Sequence, residues 1–432
     1  MSGIPVAILI GGMLLLMLTG LPLAFSIFAV STLVMMAYTK LPLWQIMQRF
    51  FAGVDSFVLT AIPFFLLAGN LMNSGKITDK LIQLSSTMVG HIRGGLAHIN
   101  VLVSLLFGGV SGSAVADTSG VGTILIPAMA RKGYSTSFTV AVTVTSSVLG
   151  QIIPPSLIMI VYAATAGTSV QAMFVAGIIP GVLLAGAMML VSHVYAIKYD
   201  YPREKRHTFL DFLRALRKSF LVLLMPVIII GGVLSGVCTA TESAVIAVVY
   251  TLIITIFIEK TLTFGELPPI FIQTAKSTAV TLFCIGAATA FGYLLAYFRT
   301  NEYIFQVMRE MELTQTSYII FLVVLFTILG MFMDATPAIC IFVPFIIPAG
   351  IELGMHPVHV GMIICLVIAF GLVTPPYGLC LLLGCQIAGI APQKVFRDLL
   401  FMMLAVAVTL LIIIFIPDLI LWLPRLVVPK YM

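Results

Sequence analysis

Long apolar runs, separated by short polar or charged segments, cover almost the whole chain. A helix needs about 20 apolar residues to cross the hydrocarbon core of a bilayer. Runs bounded by charges or turn residues predict about ten membrane spans, near residues 4–19, 22–38, 55–73, 136–165, 171–197, 219–237, 241–258, 274–298, 357–385 and 399–423. The first two are short for full spans, so Pro22 alternatively marks a kink in one tilted helix.

Two further apolar stretches, 95–130 and 317–350, are interrupted by glycine, hydroxyl and acidic residues. The first contains Ser111-Gly-Ser-Ala-Val-Ala-Asp117, and the second contains Gly330-Met-Phe-Met-Asp334. Non-helical backbone survives at membrane depth only where it is buried in protein or lines a cavity. The pattern therefore predicts two re-entrant helical hairpins with unwound tips.

The two halves of the chain repeat one another in order. An aspartate stands ten residues before a proline in each hairpin, as Asp117 and Asp334. The stretch Gly150-Gln-Ile-Ile-Pro154-Pro155 returns as Gly371-Leu-Val-Thr-Pro375-Pro376, and an Ala-Gly pair follows each. Offsets of about 217 to 222 residues relate these motifs. The sequence therefore predicts two diverged copies of one unit, with the function where they meet.

Composition identifies lipid as the solvent of most of the chain. Hydrophobic residues make up 61% of the 432 residues, charged residues make up 9%, and the mean hydropathy is +1.17. A soluble core cannot hide that much apolar surface. The formal charge of +6 comes from basic residues that flank apolar runs, which is typical of cytoplasmic loops and not of a nucleic-acid-binding stripe. The fold class is thus an all-α polytopic membrane protein.

Loop charge predicts the orientation. Residues 198–218 hold seven Lys or Arg against three acids, which favours a cytoplasmic loop. Counting spans in both directions from this loop places the base of the first hairpin in the cytoplasm and that of the second outside. This arrangement is the inverted-topology repeat of secondary transporters.

These assignments divide the chain into four units. We expect N-terminal scaffold helices at 1–76, a first repeat at 77–197, a basic loop with scaffold or arm helices at 198–298, and a second repeat at 299–432. The mixed stretches 40–53 and 77–90 are interfacial helices or ordinary connectors.

ATP chemistry is not expected. The nearest approach to a phosphate loop, Gly69-Asn-Leu-Met-Asn-Ser-Gly75-Lys76-Ile77, is one residue too long and lacks the hydroxyl that meets magnesium.

Broken helices are the device that this sequence offers for binding ions. Residues 133–197 contain no Lys, Arg, Asp or Glu, so a salt bridge cannot neutralise a charged solute there. Half-helix N-termini present N–H groups to an anion, whereas unwound carbonyls and hydroxyls suit a hard cation such as sodium. One site would join Ser111-Gly112-Ser113 to the break at 150–156. Its twin would join 330–336 to the break at 371–376, where Thr374 supplies a hydroxyl.

Each candidate has a simpler alternative. Asp117 and Asp334 are intramembrane carboxylates, which are costly and therefore functional by default, but either would also suit the N-cap of the second hairpin arm. Cation binding and capping both stay open. The proline doublets alternatively kink helices, although their equivalent positions favour designed breaks. Ser111 and Ser113 alternatively permit tight packing.

Several motifs together resemble the large membrane subunit of tripartite ATP-independent periplasmic (TRAP) transporters, the DctM-like family. They are Ser111-Gly-Ser-Ala-Val-Ala-Asp117-Thr, the two Gly-x-x-x-Pro-Pro doublets, Thr239-Ala-Thr-Glu242-Ser-Ala and the stretch 51–70. The likeness runs nearly end to end, and the motifs together are specific.

The resemblance implies a transporter subunit and not an enzyme. It implies sodium-driven import of an organic acid, such as sialic acid or a C4-dicarboxylate, across a bacterial inner membrane. It also implies an elevator motion, in which a domain bearing both hairpins carries substrate across a fixed scaffold. The implied partners are a periplasmic substrate-binding protein (DctP-like), a small four-helix membrane subunit (DctQ-like) and membrane lipid. The implied coupling ion is Na+, with two or more ions bound, and no ATP is implied.

The resemblance also implies residue roles, with sodium at both hairpin tips and their facing helix breaks and the substrate between them. The implied sodium-site residues are Ser111, Gly112, Ser113, Gly150, Gly330, Met333, Asp334, Thr336, Gly371 and Thr374. The implied substrate-binding residues are Ser113, Asp117, Thr118, Pro154, Pro155, Ser156, Thr374 and Pro375. This chain departs from the family pattern at Gln151 and Ala240, where proline is common, and the first departure touches the expected site.

A stand-alone sodium-coupled dicarboxylate carrier, which needs no binding protein, is the alternative within transporters. An intramembrane enzyme would need a convergent catalytic pair, which the sequence does not offer. A channel would need a continuous polar stripe, whereas the polar residues here cluster at two points.

Overall fold

The protein is described by a computed structural model, which covers residues 3–75, 77–300, 302, 305–306, 310 and 312–432. Lys76, at the end of the stretch compared above with a phosphate loop, lies outside the described residues. Within them the chain is all-helical and forms no β-strand. The predicted all-α membrane fold is therefore confirmed.

Eleven α-helices precede the basic loop. They are α1 Gly3–Leu18, α2 Leu23–Tyr38, α3 Trp44–Val54, α4 Ala61–Ser74, α5 Ile77–Val89, α6 Gly95–Ser111, α7 Ala114–Arg131, α8 Thr136–Ser147, α9 Leu149–Ile152, α10 Leu157–Ala166 and α11 Val170–Lys198.

Nine further α-helices are described after that loop. They are α12 Phe209–Leu234, α13 Ala240–Leu252, α14 Leu267–Tyr297, α15 Gln315–Phe332, α16 Ala335–Glu352, α17 Pro357–Gly371, α18 Leu379–Ala388, α19 Phe396–Phe415 and α20 Pro417–Val427. A π-helical turn, Ile253–Ile258, extends α13, and Thr239 and Glu242 begin that helix with a capping box.

The first 38 residues form two helices and not one kinked helix. Gly20 has φ +89°, and Pro22 cannot donate a backbone hydrogen bond, so the chain reverses between α1 and α2. The two helices then pack side by side. A Cβ on Gly12 would lie 3.2 Å from a methyl group of Val30, so this glycine allows their close approach.

Seven described helices are long and apolar enough to cross a membrane, and the bent pair formed by α8–α9 and α10 makes eight. The sequence suggested about ten spans. Six of the eight match predicted spans, and the other two are α15 and α16, the arms of the second hairpin. The four predicted spans that do not qualify correspond to α1, α2, α4 and the pair of α17 and α18, which are apolar but only 10 to 16 residues long. The span expected at 357–385 is two helices, α17 and α18, separated by an irregular stretch.

Each copy of the repeat contains a helical hairpin followed by a broken helix. The hairpin of α6 and α7 precedes the break between α9 and α10, where the axis bends by 42°. The hairpin of α15 and α16 precedes the break between α17 and α18. Both proline doublets lie inside these breaks, and the Pro154–Pro155 and Pro375–Pro376 bonds are both cis.

Side-chain contacts fix the directions of the two broken helices. The start of α8 lies against the basic loop, since the Tyr201 hydroxyl donates a hydrogen bond to Ser135 Oγ at 3.2 Å. The far end of α10 meets the start of α17, where the Tyr162 hydroxyl donates to Pro357 O at 2.7 Å. After α18 the chain returns to the basic-loop end, where Tyr195 donates to Asp398. The broken helices therefore run in opposite directions.

The hairpin bases lie at opposite ends of the molecule. At the base of α6, the Gly94 N–H donates to Pro202 O, and Arg93 pairs with Asp200 at 2.6 Å in the basic loop. The base of the second hairpin adjoins the start of α17, at the other end. This geometry agrees with the inverted repeat that loop charge predicted.

The two copies interlock through their second halves. Helix α10 of the first copy packs on α16 and α17 of the second, and α18 of the second packs on α7 and α8 of the first. Helices α11 and α19, which follow the two broken helices, also pack together. Around this unit, α2 and α3 pair with α14, α4 pairs with α13, and α5 pairs with α12.

Candidate transport site

The first hairpin tip, Ser111–Ser113 (tip 1), is built by a change of backbone conformation. Helix α6 ends at Ser111, and Gly112 follows with φ +62°, in the left-handed region where glycine is favoured. Ser113 is extended and caps α7, since its Oγ accepts from the Ala116 N–H at 3.4 Å. The N-cap of this arm is therefore Ser113, and Asp117 lies inside the first turns of the helix.

Tip 1 lies directly on the first helix break. A Cβ on Gly112 would lie 2.8 Å from Pro155 O, and one on Gly150 would lie 3.0 Å from Ser113 O. The Leu157 N–H, at the start of α10, donates to Gly112 O at 3.4 Å. The structure thus brings together the tip and the break that the sequence paired.

The second hairpin tip, Phe332–Asp334 (tip 2), follows the same plan with different side chains. Gly330 and Gly371 touch, since a Cβ on Gly330 would lie 2.9 Å from the Gly371 Cα. Met333 is extended and buried, and Asp334 occupies the N-cap position of α16 without a side-chain capping hydrogen bond. The Thr374 hydroxyl donates to Phe370 O at 2.8 Å, which leaves its oxygen available as an acceptor.

The two aspartates do not occupy equivalent positions. Helices α7 and α16 begin at Ala114 and Ala335, so the residue equivalent to Asp334 is Ser113 and not Asp117. Ser113 and Asp334 are 221 residues apart. The same offset relates Gly150 to Gly371 and Pro154 to Pro375 in the two breaks. The aspartate echo in the sequence is therefore displaced by about one helical turn. Asp117 has no acidic counterpart in the second copy.

A cavity of about 290 Å³ lies between the two tips and the two breaks. Tip 1 contributes Ser113, tip 2 and its helix contribute Asp334 and Thr336, and the breaks contribute Gln151 and the first residues of α10 and α18. Helices α4 and α14 close the other side. Two half-helix N-termini thus reach one cavity, and their positive dipole ends suit a carboxylate.

The two carboxylates differ in their access to this cavity. Asp334 lies on its wall and also lines a larger, mostly apolar cavity of about 680 Å³ beside α2 and α14. Asp117 is 0% exposed, and neither of its oxygens has a standard hydrogen-bond partner among the described residues, although the Ser104 hydroxyl is close. Cys380, at the start of α18, lies near Thr118 and within electrostatic range of both aspartates.

The predicted residues thus form two groups. Those on the cavity wall are Gly112, Ser113, Asp334 and Thr336. Those that do not line it, although they lie in or beside the tips and breaks, are Ser111, Asp117, Thr118, Gly150, Pro154, Pro155, Ser156, Gly330, Met333, Gly371, Thr374 and Pro375. Ser156 donates its hydroxyl to Gln151 O within the first break.

Sequence reasoning missed the contribution of α14. Ser277 and Thr281 of this helix face the cavity, one helical turn apart. One turn earlier, Thr274 accepts a hydrogen bond from the Asn70 amide at 2.9 Å. The sequence signal for this contribution was the recurrence of hydroxyl residues every three or four positions, at Thr274, Ser277 and Thr281, within an apolar span. Gln151 also carries a buried amide oxygen without a partner among the described residues.

The sequence matches the family described as tripartite ATP-independent periplasmic transporter, DctM component, over residues 10–419. The chain belongs to the DctM family of TRAP transporter large permease subunits. It is 39% identical to YgiK of Salmonella typhimurium, over 99% of this chain and 98% of that protein.

Two further relatives have named substrates. The sialic acid TRAP transporter large permease protein SiaM of Vibrio cholerae is 33% identical, over 96% of this chain and 97% of its own length. The C4-dicarboxylate TRAP transporter large permease protein DctM of Pseudomonas aeruginosa is 35% identical, over 87% and 88%.

A solved structure shares the fold of this DctM-family chain. The YdaH transporter of Alcanivorax borkumensis superimposes with a TM-score of 0.59 at 16% identity, covering 85% of this chain and 87% of that one.

Proposed function

We propose that this DctM-family subunit imports an organic acid, such as sialic acid or a C4-dicarboxylate, driven by a sodium gradient across a bacterial inner membrane. A periplasmic substrate-binding protein delivers the acid, and a small DctQ-like membrane subunit completes the permease. Sialic acid and C4-dicarboxylates, for which the two relatives described above are named, are carboxylates, which supports this substrate class.

The observation that carries the proposal is the cavity between the hairpin tips. The N-termini of α10 and α18 reach it, and no Lys or Arg occurs among its described lining residues. A carboxylate would therefore be held by helix dipoles, hydroxyls and the Gln151 amide. Asp334 on the same wall would repel an anion, unless a bound cation compensates its charge. A sodium ion beside Asp334 would couple the binding of ion and substrate.

Sodium at tip 1 is supported by Asp117. A buried carboxylate without a partner costs several kcal/mol, so a site that keeps one has a reason to bind a cation. Ser111 and Ser113 belong to the same tip, and the backbone at Gly150 lies against it. Their oxygen atoms are ligands of the kind that a hard cation prefers.

The packing of the helices supports an elevator motion. Each copy inserts the second half of its broken helix into the other copy, so the hairpins and broken helices form one interlocked unit. The cavity lies where this unit meets α4 and α14. Sliding of the unit along those helices would carry the cavity across the membrane without dismantling either tip.

Uptake into proteoliposomes tests the function. The chain and its small partner would be reconstituted, and a panel of radiolabelled organic acids supplied with an inward sodium gradient, each with and without the binding protein. We expect uptake that needs both sodium and the binding protein. Full uptake after choline replaces sodium would remove the coupling claim. Uptake without the binding protein would favour the stand-alone dicarboxylate carrier.

A further inference from the structure

A second cavity continues the candidate site toward the end opposite the basic loop. Its volume is about 470 Å³, and it is lined by α3, α10, α14 and α16. Three of these helices, α10, α14 and α16, line both cavities. On each helix a residue that lines the second cavity follows, by four positions, one that lines the first: Thr165 follows Val161, Ile285 follows Thr281, and Cys340 follows Thr336. Four residues of an α-helix span about 6 Å. The second cavity is therefore about one turn further along the same helices, and we call it the outer vestibule.

The direction of this displacement identifies the outer vestibule as an entrance. Helix α10 runs from the first break toward the start of α17, which it meets through Tyr162 and Pro357. That end carries the base of the second hairpin, whereas the basic loop and Arg93 lie at the other end. Because a basic loop favours the cytoplasm, the outer vestibule faces the periplasm.

One cation lies in the outer vestibule. Arg49 of α3 is the one charged residue among its described lining residues, and no acidic group pairs with it among the residues that the structure covers. Its guanidinium carbon lies 4.2 Å from the centroid of the Tyr293 ring on α14. The Tyr293 hydroxyl lies 3.4 Å from Gln45 Oε1 of α3. The ring and α3 thus orient a guanidinium whose hydrogen-bonding edge has no carboxylate partner.

We propose that Arg49 forms a carboxylate-capture site in the outer vestibule, which holds the incoming acid before it reaches the cavity between the tips. This inference rests on the proposed function, since it places the capture site on the route of the imported acid. The guanidinium pairs with a carboxylate in a bidentate manner, and a water-filled entrance lets the acid leave toward the inner cavity. The cavity between the tips has no Lys or Arg among its described lining residues. The acid would therefore leave the guanidinium and bind to helix dipoles as it moves inward.

Chemical labelling tests occupancy of the site without measuring transport. The purified protein would be treated with phenylglyoxal, and modification of each arginine quantified by mass spectrometry. We expect sialic acid or succinate to protect Arg49, and their uncharged amides to leave it reactive. Arg299 is an exposed internal control, and its labelling should not change. Equal labelling of Arg49 with and without every acid would overturn the proposal. Protection by anionic phospholipid vesicles alone would also overturn it, because the site would then hold a lipid headgroup.

Transport kinetics test the role of the same residue. Arg49→Gln should raise the half-saturating concentration of loaded binding protein by about tenfold at low ionic strength, with a maximal rate near that of wild type, because capture acts on association. The effect should shrink as choline chloride screens the charge. Arg49→Lys keeps the charge and should retain most of the function, and Lys40→Gln, which removes an exposed charge outside the described cavities, should behave as wild type.

Unchanged kinetics in Arg49→Gln would contradict capture even when the wild-type protein transports. An unchanged half-saturating concentration with a lower maximal rate would also contradict it, and would indicate that Arg49 only holds α3 against α14. Absence of sodium-dependent uptake in the wild type would instead reject the proposed function, and Arg49 protection would still report whether a carboxylate site exists.

Discussion

Tip 1 and tip 2 differ most in where each places its carboxylate. Asp334 stands at the N-cap of α16 and is open to the cavity, whereas Asp117 lies further along α7 and is fully buried. The position equivalent to Asp334 is occupied in tip 1 by Ser113, which caps its helix with a hydroxyl. The copies share the order of hairpin, tip and helix break but arrange charge differently.

In the proposed function, this difference would separate two kinds of ion site. A cation at Asp334 would exchange with the cavity. A cation at Asp117 would be enclosed by tip 1 and the first break, so it would enter or leave only when that contact opens. We therefore expect the sodium at tip 1 to stabilise the closed hairpin and the sodium at tip 2 to accompany the substrate.

Asp117→Asn should give the largest effect. The amide removes the enclosed negative charge, so sodium loses its counter-charge and uptake should fall below about one-tenth of wild type. Sodium raises the melting temperature of a protein that binds it only when folded, so this sodium-dependent rise should shrink in the variant, which would keep only the ion at tip 2. The measurement is thermal unfolding in sodium and in choline chloride, beside uptake. A sodium-dependent rise that persists at full size would count against an ion at tip 1.

Asp334→Asn should weaken ion binding without abolishing transport. Asp334 lies on the wall of the cavity and is not enclosed by a tip, so we expect the half-saturating sodium concentration for uptake to rise about tenfold, with part of the maximal rate retained. Uptake measured across a range of sodium concentrations gives this value. If Asp334→Asn removed the sodium-dependent thermal shift and Asp117→Asn did not, the two assignments would have to be exchanged.

Gly112→Ala and Met333→Ala test the backbone difference between the tips. Alanine at Gly112 would enter the left-handed region at a cost of about 1–2 kcal/mol, and its Cβ would lie 2.8 Å from Pro155 O. Met333 is extended, so alanine there loses only packing. We expect a lower melting temperature and severalfold lower uptake for the first variant than for the second. Equal behaviour would show that tip 1 does not depend on its tight turn.

Thr374→Val should give the smallest effect. The variant keeps the size of the side chain and removes the oxygen that the second break presents, so the half-saturating sodium concentration should rise about two- to threefold. Thr374→Ser, which keeps the hydroxyl, is the matched control and should titrate as wild type. Identical sodium titrations for both variants would exclude this hydroxyl from the ion site.

Much of the fold was readable from the sequence because its signals are local. Glycine, serine and proline interrupt apolar runs, and this alone located both hairpins and both breaks to within a few residues. The excess of Lys and Arg in loop 198–218 predicted that the two hairpins enter from opposite sides. The contacts of Tyr201 and Tyr162 support this arrangement. Helix lengths were less accurate, because a short apolar helix and a spanning one have the same composition.

The site was less predictable because it depends on helix phase and on distant contacts. The sequence comparison paired Asp117 with Asp334 because both are aspartates. Asp117 lies about one helical turn further from the start of its helix than Asp334 does. The roles of Ser277 and Thr281 arise only when α14 packs against the hairpins. Burial separates the two carboxylates, and burial is a property of the assembled fold.

Equilibrium binding of radiolabelled sodium to the purified subunit tests the central claim most directly. The account predicts two sodium ions per wild-type chain. Asp117→Asn should lose the ion at tip 1 and Asp334→Asn the ion at tip 2, so each single variant should retain one ion and the double variant none. Wild-type stoichiometry in both single variants would contradict the account, because neither carboxylate would then hold an ion.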